Sequence, residues 1–168
     1  MKGMLKGVAA LALATMFAAS SAQAQAKFGV AGTGLFSLES GGGSQFGGMA
    51  LVGFQKAESP IGFRVDGTFL KKSGVTSIPV TGDITYAFKT AESSMFHPYL
   101  LAGGGIIHQS GGGSSITKPM AKAGVGADYM MKSKLTLFAE ATFDMFFYGD
   151  VIGTTKALQV NAGVKFGG

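Results

Sequence analysis

From Leu135 to Phe146 the chain alternates with almost no break. Leu135, Leu137, Ala139, Ala141, Phe143 and Met145 are apolar, and Thr136, Phe138, Glu140, Thr142 and Asp144 stand between them. A period of two sends successive side chains to opposite faces of a β-strand. The rhythm returns in Ile61, Phe63, Val65, Gly67 and Phe69 against Gly62, Arg64, Asp66 and Thr68. It returns again in Leu158, Val160, Ala162, Val164 and Phe166 against Gln159, Asn161, Gly163 and Lys165. Weaker alternation marks 27–38, 46–56, 77–88, 98–108 and 119–131, and in 46–56 Met49 and Leu51 fall on the nominally polar face. No segment after the leader has the roughly 20 apolar residues of a transmembrane helix. The spacing therefore predicts an all-β chain of eight strands.

The first 24 residues form a separate unit. Lys2 and Lys6 precede an apolar stretch from Val8 to Ala19, and Ala22-Gln23-Ala24 is a small-x-small cleavage site. This is the pattern of a secretory signal peptide, expected over 1–24, with the mature chain over 25–168. Without cysteine there is no disulfide framework and no thiolate metal site. The net charge of +5 includes the two leader lysines, leaving 5 − 2 = +3, too little to point to nucleic acid.

Charged residues make up only 14% of the chain, against about 25% in ordinary soluble domains. That deficit fits a molecule whose surface does not all face water. Gly- and Ser-rich breaks at 39–45, 71–76, 109–118 and 147–154 alternate with others at 57–60, 89–96 and 132–134. With both termini in the periplasm, the first set becomes the extracellular loops and the second the periplasmic turns. The polar face carries Arg64, Asp66, Asp83, Lys122, Asp128, Glu140, Asp144 and Lys165 in mid-strand. The other face places Phe28, Phe54, Phe63, Tyr86, Phe88, Tyr99, Tyr129 and Phe166 near the periplasmic end, and Phe36, Phe46 and Phe69 near the opposite one. A soluble sandwich also alternates. Two aromatic bands around an aliphatic middle, with charges of both signs on the other face, favour an eight-stranded antiparallel up-and-down transmembrane barrel.

Several stretches resemble a known family. His97-Pro98-Tyr99-Leu100-Leu101-Ala102-Gly103-Gly104-Gly105 is similar to the fifth-strand signature of small bacterial outer-membrane β-barrel proteins. Lys122 to Tyr129, Leu137 to Ala141 and Val160 to Phe166 resemble that family's last three strands. The resemblance implies an outer-membrane protein A-like barrel without its periplasmic peptidoglycan-binding domain, resident in the outer membrane. It implies contact with outer-membrane lipid and lipopolysaccharide, and engagement of the barrel assembly machinery through the near-terminal Phe166. Gly167 and Gly168 follow that aromatic, where the family usually ends on it.

An eight-stranded barrel is narrow enough to be filled by its own side chains. The eight inward charges are accordingly read as a structural network, with a narrow path for water or small ions as the alternative. His108-Gln109-Ser110 resembles the His-x-Ser of lipid A deacylases, and residues two apart on a strand share a face. The acid such a pair needs does not follow until Asp128. His97 reads as a solvated turn residue, and two distant histidines make no metal site. The Gly-Gly-Gly runs at 41–43, 103–105 and 111–113 lack the spacing of a phosphate loop. Lys71 and Lys72 either meet lipopolysaccharide phosphates or simply solvate a turn. The sequence thus points to a non-enzymatic, monomeric envelope protein with no cofactor, metal or nucleic-acid partner, acting structurally or through its surface.

Overall fold

The computed structural model describes residues 24–56, 59–91, 93–131, 134–149 and 153–167. Apart from Ala24, the expected leader lies outside them. Eight strands follow one another: β1 (Ala24–Ser37), β2 (Ser44–Lys56), β3 (Ile61–Lys72), β4 (Val75–Ala87), β5 (Phe96–Gly111), β6 (Ser114–Met130), β7 (Leu135–Phe147) and β8 (Thr154–Phe166). Each pairs antiparallel with the next, and β8 returns to β1, from Phe28 opposite Phe166 to Ser37 opposite Ala157. Closure leaves no free sheet edge around the barrel's waist. The end holding both termini and the connections β2–β3, β4–β5 and β6–β7 is called the lower end, and the opposite one the upper.

Two upper connections are much tighter than their composition suggests. The expected loops at 71–76 and 109–118 are strand almost throughout. They shrink to two-residue turns, Ser73-Gly74 between Lys72 and Val75, and Gly112-Gly113 between Gly111 and Ser114. All four turn residues have positive φ, from 46° to 83°, as a type I′ hairpin requires. The glycines that mark these stretches as loops supply the turn alone, and the strands run up to it.

Prolines record how the ladders are used. The β3–β4 pairing lapses at Thr68 and Phe69, opposite Ile78 and Pro79, where the proline ring has no N–H to give. Pro119 precedes Met120, the first residue of β6 paired with β7.

The alternation sorts the side chains cleanly. Phe28, Val30, Phe46, Phe63, Ile84 and Val125 are among the large apolar residues on the outer wall, each more than half exposed. Phe36 packs edge-on against Phe46 near the upper rim, with ring centroids 5.9 Å apart, and Tyr86 packs against Phe88 near the lower one at 5.5 Å. The outer middle is built largely of Gly, Ala and Val. The charges lie inside.

Candidate functional site

The lumen is filled in layers. Near its middle, Arg64 on β3 is 4% exposed and sits among three acids. Its Nη2 lies 3.0 Å from Asp66 and 3.1 Å from Asp83, and its Nη1 lies 2.7 Å from Glu140 on β7, across the barrel. Lys122 on β6 reaches the same two aspartates, 2.8 Å from Asp66 and 3.0 Å from Asp83. The Thr81 hydroxyl donates to Asp66, and the Asn161 amide to Glu140. Asn161 in turn accepts from Thr33 and Gln159, which carries the network around to β1 and β8. Every member occupies an inward position of its strand, and together they span the lumen.

Below this layer, Tyr99 bridges two ion pairs. Its hydroxyl donates to Glu140 at 2.7 Å. Lys165 lies 3.4 Å from the same hydroxyl and 2.6 Å from Asp128. The Lys165 ammonium also stands over the rings of Tyr99 and Phe138, 4.6 and 4.5 Å from their centroids, a cation–π arrangement. Sequence reasoning places Tyr99 in the outer aromatic band. The structure turns it inward, 6% exposed. Its parity is that of Leu101, Gly103 and Ile107, which also point in, and that shared parity is the signal that finds it.

Above the charged layer the lumen is closed by hydrocarbon. Leu35, Leu70, Ile107, Met120, Phe146 and Ala157, each 6% exposed or less, pack into one cluster with Tyr148 against it. A second cluster of Met49, Leu51 and Phe138 lines the lower wall. These apolar residues stand at inward positions, so face and polarity part company there. This is the physical reason that Met49 and Leu51 disturb the alternation of 46–56.

All eight charged residues singled out by the sequence face the lumen, and seven of them connect through ion pairs or through Tyr99. Asp144 stands apart. Its Oδ1 accepts from Thr142 at 2.7 Å, while its Oδ2 is buried with no partner among the described residues. Asp83 Oδ1 is likewise unpartnered.

The remaining sequence candidates do not converge. His108 and Ser110 lie on β5 with outward parity, and His108 Nδ1 pairs with Thr117 at 2.8 Å. Ser110 stands in strand, opposite Thr76 and Ser115, not at the mouth of a loop. His97 is also in strand: it is the second residue of β5 and faces inward, with Nδ1 2.8 Å from the Thr90 hydroxyl. No group of three or more His, Cys, Asp or Glu residues suited to a metal ion exists among the described residues. Phe166 ends β8 on the outer wall, half exposed and opposite Phe28 and Leu135.

Among solved structures, neisserial surface protein A matches with a TM-score of 0.68 at 20% identity, covering 85% of this chain and 96% of that one. A major outer membrane protein of Thermus thermophilus matches with a TM-score of 0.59 at 14% identity over 85% and 99% of the two chains. The N-terminal β-barrel domain of Pseudomonas aeruginosa OprF matches with a TM-score of 0.53 at 22% identity over 87% and 100%. No protein-family model and no curated protein matches the sequence. At these identities the likeness is one of architecture, and the chain has the fold of the eight-stranded outer-membrane β-barrels.

Proposed function

We propose that the chain is a non-enzymatic β-barrel of the bacterial outer membrane, exported by its leader, closed to transport, and acting as a structural or surface-interacting part of the envelope. One observation carries the reading: the lumen is plugged twice. The ion-pair layer of Arg64, Asp66, Asp83, Lys122 and Glu140 spans it, and the apolar cluster around Leu70, Ile107 and Phe146 closes the upper half. A path for ions needs a continuous polar or wet lining, and the apolar cluster interrupts it. The outer wall supports membrane residence. Lipid requires every backbone polar group in its depth to be paired, which a closed barrel achieves, and the aromatic rims match the girdles of such barrels. At the upper rim Lys71 is exposed at an outward position opposite Phe46, suited to a lipopolysaccharide phosphate. Lys72, one residue on, has inward parity.

The test has two parts. On a gel, outer-membrane fractions yield a band that migrates faster unboiled than boiled and begins near Gln25. In planar bilayers the purified protein gives no discrete conductance steps. Discrete steps overturn the closed reading in favour of a narrow pore. A change in lipid A mass on expression, abolished by Ser110→Ala, overturns the non-enzymatic one.

A further inference from the structure

The lower part of the lumen is not filled. A cavity of about 220 Å³ lies beneath Arg64, Tyr99 and Lys165, with Lys27, Gln55, Thr85, His97, Asp128 and Thr136 also on its wall. A void on the order of 10–15 Å³ already holds a water molecule, so this one has room for a small ligand. Glu140 bonds to Arg64 and Tyr99 in its roof, and Asp128 pairs with Lys165 there. It also reaches the backbone ends carrying Phe54 and Phe63, at the lower aromatic rim.

Lys27, Arg64 and Lys165 line the cavity with one acid, Asp128, beside apolar Leu51, Phe54, Ala87 and Met130. Arg64 and Lys165 are matched by acids, but Lys27 has no ion-pair or hydrogen-bond partner among the described residues. The residue opposite Lys27 in register is Gly53, which leaves the space beside it open. The His97 ring, with its Nδ1 paired to the Thr90 hydroxyl at 2.8 Å, also lines the cavity. Gln55 and the threonines add further hydrogen-bonding groups. An apolar guest would leave these groups unpaired at a cost, and a cation would meet like charge.

We infer that this pocket binds a phosphate-type oxyanion, held by Lys27 and His97 with Lys165 behind them. The anion comes either from solution or from a phospholipid headgroup at the lower rim. The site does not depend on the barrel being closed above it, so a conducting barrel would leave this inference standing.

The mature protein refolded in phosphate-free detergent micelles is titrated with inorganic phosphate at constant ionic strength, with NMR shifts of backbone amides as readout. Saturable shifts are expected at Lys27, Gly29, Gly53, His97 and Lys165, and none with sodium chloride at the same ionic strength. Losing one charged donor weakens binding about tenfold, so Lys27→Gln is expected to do so, and His97→Phe, which removes the ring nitrogens, to weaken it by less. Lys156→Gln, at the upper rim, leaves binding unchanged. The protein is then placed in phosphatidylglycerol nanodiscs without phosphate. Shifts already present there, and unmoved by added phosphate, identify a headgroup as the occupant. Shifts that appear only with phosphate identify the free ion. A response equal to that of chloride, or no response in either medium, overturns the site.

Discussion

The ring of Tyr99 lies over Gly126, its register partner on β6, so closely that a β-carbon at Gly126 would overlap the ring. This glycine is not needed for a turn. It vacates the volume through which a β5 side chain crosses the lumen to Glu140. Gly103 does the same for Asp83, its own partner on β4. Inward glycines therefore set which polar side chains can reach the centre. Overpacking a filled core typically costs about 1–3 kcal/mol. Gly126→Ala is expected to destabilise the barrel by that much, measured by urea unfolding of the refolded protein. Tyr99→Phe, which removes the bond to Glu140 while keeping the ring, costs about 1.5–3 kcal/mol on the scale for a hydrogen bond to a charged group. If Gly126→Ala is silent, the tyrosine is not pinned in this position.

The interior charges predict two opposite outcomes. Removing Arg64 leaves Glu140 without an ion-pair partner among the described residues and Asp66 and Asp83 with Lys122 alone, and breaking a buried pair from one side costs about 3–5 kcal/mol. Arg64→Met is expected to lower unfolding stability by that amount. Asp144 faces no cation within ion-pair distance among the described residues, and one of its oxygens has no partner there. Asp144→Asn removes a charge without orphaning another, so stability is expected to stay within about 1 kcal/mol of the wild type or to rise. A loss for Asp144→Asn as large as that for Arg64→Met would show that Asp144 is a full member of the network.

The apolar plug makes a third prediction. Truncating a buried Phe costs about 3–5 kcal/mol and a buried Leu about 2–5, so Leu70→Ala and Phe146→Ala should each loosen the upper lumen. The refolded double variant is expected to admit water and to show conductance or enhanced proton leak in vesicles, where the wild type shows neither. A silent double variant that still folds would place the barrier in the charged layer instead.

The strand pattern was legible wherever the outer wall alone decided it. From Leu135 to Met145 every outward residue is apolar, and of the inward positions Thr136, Glu140, Thr142 and Asp144 are polar. The eight charges were legible because a charge in mid-strand has only the lumen to go to. What polarity could not show were the places where the lumen itself is apolar, such as Met49, Leu51 and Ile107, or where an aromatic turns in, as Tyr99 does. There parity along the strand decides, and parity needs an anchored register. The lengths of β5 and β6 were hidden for a different reason. Gly111, Gly112, Gly113 and the serines after them look like a loop, and only the positive φ of Gly112 and Gly113 shows how short the turn is.

Those long strands carry the last prediction. β6 pairs with β5 from Ser114 onward but meets β7 only from Met120, so Ser114–Pro119 has one neighbour among the described residues. Met130 donates to Met95 across the foot of the β5–β6 ladder at 2.8 Å. Bonding alternates residue by residue along an antiparallel pair. Even-numbered residues of β6 therefore bond to β5, and odd-numbered ones turn toward the open side. Pro119 is odd, and its missing N–H costs the β5 ladder nothing. The amides of Ser115 and Thr117 are expected to exchange with deuterium on the order of a hundredfold faster than those of Ile116 and Lys118, as solvent-facing amides do beside bonded ones. Thr117→Pro is expected to be tolerated within about 1 kcal/mol, as Pro119 is. Ile116→Pro removes a ladder bond and should cost about 2 kcal/mol or more. Equal protection at all four amides would mean that something covers this edge.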